Sequence, residues 1–226
     1  MFFLFVVIVS WVTGMSVVLW LSSKHAPIAL NQDYLTVIGG TLSFHGVVLV
    51  LLPRLLRAHG ATLGSAFGFS NPRRVRAVIL GVLVGAATLP LIVFLGELSA
   101  KVLQWLGITT ELQAPVQILQ RSVSPSLHVV IFIAAVLVAP VAEEIIFRGI
   151  LYPTIKQVGF PHVALWVTSI LFATVHGNMM TFLPFTALAL ILTFLYEKTD
   201  NLLSAIVMHS FFNLINFFRV AASTAG

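Results

Sequence analysis

Four stretches of this chain, residues 1–23, 34–53, 77–96 and 122–142, contain no Asp, Glu, Lys or Arg, and each is about the length of one bilayer crossing. A further forty uncharged residues lie between Lys156 and Glu197. At about 1.5 Å rise per residue that is roughly twice the hydrocarbon thickness, so the run holds two crossings, divided at Gly177-Asn178. Asp200 and Arg219 bracket a last, shorter run that suffices for a helix near the bilayer normal. The pattern predicts an all-α polytopic membrane protein of about seven transmembrane helices. Residues 1–23 lack a basic n-region and exceed a usual signal core, so they are expected to form an uncleaved first helix.

Only 8% of the 226 residues are charged and 59% are apolar, against roughly 25% charged in ordinary soluble domains. A soluble β-rich or α/β core of this composition would need a charged exterior that the chain does not have. The formal charge of +5 does not point to nucleic acid, because the basic residues sit in short connections between spans rather than along one face. Arg54, Arg57, Arg73, Arg74 and Arg76 fall in one connection without an acid, which the positive-inside rule assigns to the cytoplasm, and the N-terminus with it. With no cysteine there is no disulfide framework and no thiolate nucleophile, and any metal would need His, Asp or Glu.

Four segments follow: an N-terminal transmembrane hairpin over 1–53, a basic cytoplasmic loop over 54–76, a third span with an interfacial segment over 77–121, and a core over 122–220. Residues 97–121 mix Leu103, Trp105 and Ile108 with Glu97, Lys101 and Glu111, which suits a short helix at the interface. No internal repeat is evident.

The core segment carries strongly polar groups deep in its apolar runs, where a charge costs about 3 kcal/mol and normally pairs within the protein. Glu143 and Glu144 follow Pro140, and Glu144 stands one turn before Arg148 in the favourable order for an i,i+4 ion pair. Glu143 is left without that partner, an unpaired carboxylate available for proton exchange as a general base and acid. Phe172 and His176 share one helix face, as do His209 and Asn213. Counted from the expected cytoplasmic ends, Glu143, His176, His209 and Asn213 lie roughly 12 to 22 Å deep, close enough for three helices to bring them together. His45 and His128 are read as packing or hydrogen-bonding residues.

In this order the motifs Glu143-Glu144-Ile-Ile-Phe-Arg148, Phe172 to His176, and His209 to Asn213 resemble the E-E-x-x-x-R, F-x-x-x-H and H-x-x-x-N motifs of the CPBP family. These are the CAAX prenyl protease-like and bacteriocin-processing (Abi-type) intramembrane proteases, related to the type II CAAX endopeptidase. The likeness covers residues 125–220, four spans, which would hold the active site. It implies an endopeptidase in which Glu143 and His176 activate a water and His209 with Asn213 hold the oxyanion, Glu144, Arg148 and Phe172 being supporting. It implies peptide or lipidated protein substrates, contact with membrane lipid, and a bacterial plasma membrane. A zinc site drawn from Glu143, Glu144, His176 and His209 ranks second to a metal-free water mechanism, since the H-E-x-x-H helix of soluble metalloproteases is absent. Two other classes stay open: a proton- or ion-coupled transporter, whose paths also use intramembrane Glu, His and Asn, and a catalytically inactive scaffold or immunity protein.

Overall fold

A computed structural model describes residues 2–23 and 32–223. Among these residues there is no strand. The helices in chain order are α1 (Phe2–Ser23), α2 (Gln32–Ala58), α3 (Leu63–Phe67), α4 (Arg74–Trp105), α5 (Ala114–Arg121), α6 (Pro125–Gln157), α7 (Pro161–Val175), α8 (Met179–Thr199) and α9 (Leu202–Ala222). Six of them, α1, α2, α4, α6, α8 and α9, are long and apolar enough to cross a membrane. The protein is therefore an all-α integral membrane protein. Large apolar side chains such as Val50, Phe94, Trp166 and Phe194 point outward, as a hydrocarbon solvent permits.

The remaining expected span, the first after Lys156, is α7. It has 15 residues and is about 22 Å long, short of the roughly 30 Å hydrocarbon thickness. Gly177, at φ 61°, ends it, because a left-handed residue stops the helical ladder at little cost in glycine. The chain re-enters a helix at once through Asn178, whose side chain caps α8 by accepting from the N–H groups of Met180 and Thr181. The early stop leaves His176 at the helix end. The interfacial reading of 97–121 is corrected in part. Residues 97–105 continue α4 as regular helix, with Glu97 and Lys101 exposed on it, and only Ala114–Arg121 forms a separate short helix.

Polar contacts join the connections at each end of the bundle. At one end Asn201 Nδ2 donates to Gly68 O at 2.9 Å and Lys156 pairs with Glu197. Gly68 must be glycine there: its φ is 74°, and a Cβ would lie 2.2 Å from Asp200 O. At the other end Asn178 donates to Glu111 O and Arg121 pairs with Asp33. These pairings match the alternation of spans read from the sequence.

Close backbone approach fixes the packing. A Cβ on Gly81 of α4 would sit 2.7 Å from Ser204 O of α9, and one on Gly14 of α1 would meet Ser43 of α2 at 2.3 Å, in the manner of small-residue contacts between membrane helices. The main core joins Val7, Val48 and Leu52 of the hairpin to Ala142, Ile145, Ile146 and Phe147 of α6, with Phe172, Ala189 and Leu202. The hairpin is thus packed against the helix that carries the two glutamates.

Candidate active site

Three segments widen from α-helical to π-helical winding: Leu42–Gly46 in α2, and Ile133–Val138 and Ile145–Leu151 in α6. Such turns are rare and frequent at functional sites. Here the first carries His45, the second the Ala135 carbonyl and the third Arg148, and all three flank Glu143 and Glu144.

Glu144 is wholly buried, and its Oε1 accepts from Arg148 at 2.8 Å and from His209 Nδ1 at 2.9 Å. The i,i+4 pair expected from sequence is therefore present, with His209 added. Arg148 is also buried, and donates further to Thr193 Oγ1 at 3.3 Å and Ala189 O at 3.0 Å. Its guanidinium lies 4.8 Å from the centroid of the Phe172 ring. Both charged groups thus have a partner at hydrogen-bond distance, although Glu144 Oε2 is itself left without one.

Glu143 differs from the expectation that it lacks a partner. Its Oε1 is 3.1 Å from His45 Nε2, across 98 positions of sequence. Its Oε2 is buried with no hydrogen-bond partner, and lies 3.9 Å from both His176 Nε2 and His209 Nε2. The Nδ1 atoms of both rings are engaged elsewhere. His176 Nδ1 donates to Phe172 O at 2.6 Å, satisfying one of the carbonyls that the end of α7 leaves unpaired. A carbonyl only accepts, so neutral His176 carries its proton on Nδ1 and a lone pair on Nε2. Phe172 packs beneath both rings, at centroid distances of 4.8 Å to His176 and 5.6 Å to His209.

The structure therefore brings Glu143, His176 and His209 together from α6, the end of α7 and α9. Asn213, one turn beyond His209, donates from Nδ2 to Ala135 O at 2.8 Å, a carbonyl in one of the widened turns. His45 reaches the cluster from the hairpin. Sequence reading gave it a packing or hydrogen-bonding role with no partner named; the available signal was a histidine in the middle of a charge-free run. His128, by contrast, bonds the Ser122 carbonyl away from the site.

A tetrahedral zinc site with ligands at 2.0–2.2 Å sets its ligand atoms roughly 3.4 Å apart. The 3.9 Å spacings are wider, Glu144 is taken up by Arg148 and His209, and among the described residues no group of three or more His, Asp or Glu forms a metal-holding cluster.

Helices long and apolar enough to cross a membrane thus enclose a buried Glu-His-His cluster. In comparison with known proteins, residues 125–215 match the family model described as "Type II CAAX prenyl endopeptidase Rce1-like". The motif resemblance thus holds over that stretch, and at the family level it is to CAAX-type intramembrane proteases, which act on peptide or protein substrates. Among curated proteins the chain is similar to UPF0177 protein YxdF of Lactococcus lactis subsp. lactis (strain IL1403), 34% identical over 79 residues, covering 34% of this chain and 43% of that protein. It is also similar to the protein YpbD of Bacillus subtilis (strain 168), 33% identical over 72 residues, covering 30% of this chain and 34% of that protein. The matches span less than half the length of either relative. No solved structure matches the chain.

Proposed function

We propose that this protein is an intramembrane endopeptidase that cleaves membrane-associated or lipidated peptide substrates with a water activated by Glu143 and His176. The observation that carries the reading is the buried, unpaired Glu143 Oε2 facing the Nε2 atoms of two histidines at 3.9 Å. One water spans that gap, with hydrogen bonds of about 2.8 Å to Glu143 Oε2 and His176 Nε2. Its proton passes to the Glu143 carboxylate as its oxygen attacks the scissile carbonyl, and the protonated Glu143 then delivers that proton to the departing amine nitrogen. His176 orients the water through its Nε2 lone pair, which its bond to Phe172 O holds in place.

The oxyanion formed in this step is held by His209 and Asn213. Asn213 uses one amide hydrogen on Ala135 O and has a second to donate. His209, its ring held by the Nδ1 bond to Glu144, turns its Nε2 toward the same space, 3.9 Å from Glu143 Oε2. The basic connection over 54–76 lies on the cytoplasmic side of a bacterial plasma membrane, with the N-terminus on the same side.

The test is cleavage of a membrane-peptide library by the purified, detergent-solubilised protein beside Glu143→Gln and Glu144→Gln, each with and without a strong zinc chelator. Cleavage abolished in Glu143→Gln and indifferent to chelation is the expected result. Full activity in both variants sinks the proposal, and loss on chelation that zinc restores replaces the water route by a metal site.

A further inference from the structure

We propose that His45 is a positioning residue for Glu143, so that the N-terminal hairpin completes the active site; the inference rests on the reading of Glu143 as the base. Residues 125–215 carry the family match, and His45 lies 80 residues ahead of it in the hairpin. A glutamate side chain rotates broadly about its last torsion. A donor fixed on Oε1 therefore sets where Oε2 points. His45 Nε2 supplies that donor at 3.1 Å, and Oε2 then faces both His176 and His209.

The ring of His45 is itself held. Phe44 meets it edge-on at 5.1 Å between centroids, and Trp11 of α1 meets Phe44 edge-on at 6.1 Å. The line of contact runs from α1 through α2 to the carboxylate. Widened winding over Leu42–Gly46 sets the direction in which the ring leaves the helix. His45 Nδ1 is buried without a partner. With the proton on Nε2, the unpaired position is a lone pair rather than an N–H, the less costly orphan. The neutral Nε2–H tautomer is thus the one that both donates to Glu143 and suits the surroundings.

A packing role for His45 and a positioning role predict different measurements. Take the full chain in detergent with a peptide it cleaves, and compare His45→Leu, which fills the space without a donor, with His45→Gln, which restores an N–H. Positioning predicts kcat down about 10- to 100-fold in His45→Leu at unchanged KM and melting temperature, the scale of a misplaced reacting group, and recovery to within about threefold in His45→Gln. A kcat within twofold of the parent in His45→Leu overturns the proposal, as does equal loss in both variants. The bond is read separately by nitrogen NMR of histidine-labelled protein, with the His45 signal assigned by its disappearance in His45→Gln. Its Nε2 resonance should move in Glu143→Gln and stay in Glu144→Gln; an unmoved resonance overturns the proposal whether or not cleavage is observed. Full cleavage by Glu143→Gln, in contrast, removes the assignment of Glu143 as base and leaves this spectroscopic result to stand by itself.

Discussion

The two sides of the segment Ala139–Glu144 carry the same functional group in opposite circumstances. On one side Glu144 meets Arg148 and His209, and Arg148 in turn is held by Thr193 and Ala189. On the other, Glu143 meets three histidines, of which only His45 is at hydrogen-bond distance, and one of its oxygens is left unpaired. Each carboxylate leaves its Oε2 without a hydrogen-bond partner; what separates them is that Glu144 is tied to a buried guanidinium at 2.8 Å, while the free Oε2 of Glu143 faces the Nε2 atoms of two histidines. Adjacent residues on a helix point about 100° apart, so the Glu144 carboxylate turns toward Arg148 and His209 of α9 and that of Glu143 toward α2 and the end of α7.

Substitutions that treat the two sides differently test this division. The largest effect belongs to Glu143→Gln, for which cleavage should fall by about 10⁴ while thermal unfolding in detergent stays near that of the parent; a large drop in melting temperature would make Glu143 a second fixture. Glu144→Gln should act first through stability. It leaves a buried guanidinium without its counter-charge and should lower stability by about 3–5 kcal/mol, measured by denaturant unfolding in mixed micelles. Unchanged stability would break the comparison from its other side.

Asn213→Ala sharpens it further. Loss of one oxyanion donor should cost about 10²–10³ in kcat with KM little changed, and an effect confined to stability would assign Asn213 to bracing Ala135 alone. The smallest effect is expected at the bundle end, where Lys156 and Glu197 are each more than a third exposed. Glu197→Gln should change stability by less than about 1 kcal/mol, and a larger change would mean that this end is drier than its exposure implies.

The spans were legible in the sequence because charge-free length is a direct physical requirement of the bilayer. So were the Glu144–Arg148 pair, which is local along one helix, and the break at Gly177-Asn178. The convergence of Glu143, His176 and His209 followed from depth along separate helices, a coordinate that counting residues supplies. The His45–Glu143 bond was not legible, since nothing local records which of two distant helices faces the other. Nor were the three widened turns, whose residues Leu42–Gly46, Ile133–Val138 and Ile145–Leu151 are as apolar and helix-compatible as their neighbours. Glu97 and Lys101 misled for a related reason: charge was read as the end of a span, but α4 extends beyond the apolar stretch and carries both residues exposed.

Those widened turns make span length a constrained quantity in this protein. A π-helical turn accommodates more residues than the α-helical turn it replaces, so the helix around it holds a surplus that the site uses. Deleting one residue from Ile133–Val138 would let the segment rewind to α-helix with the two halves of α6 still in register, but would remove the local widening that presents the Ala135 carbonyl to Asn213. The same deletion at Gly60, where a Cβ would touch nothing, would leave every one of these contacts alone. At the widened turns a lost residue costs the site a contact, and the freedom to gain or lose residues lies at the tip of the connection over 54–76.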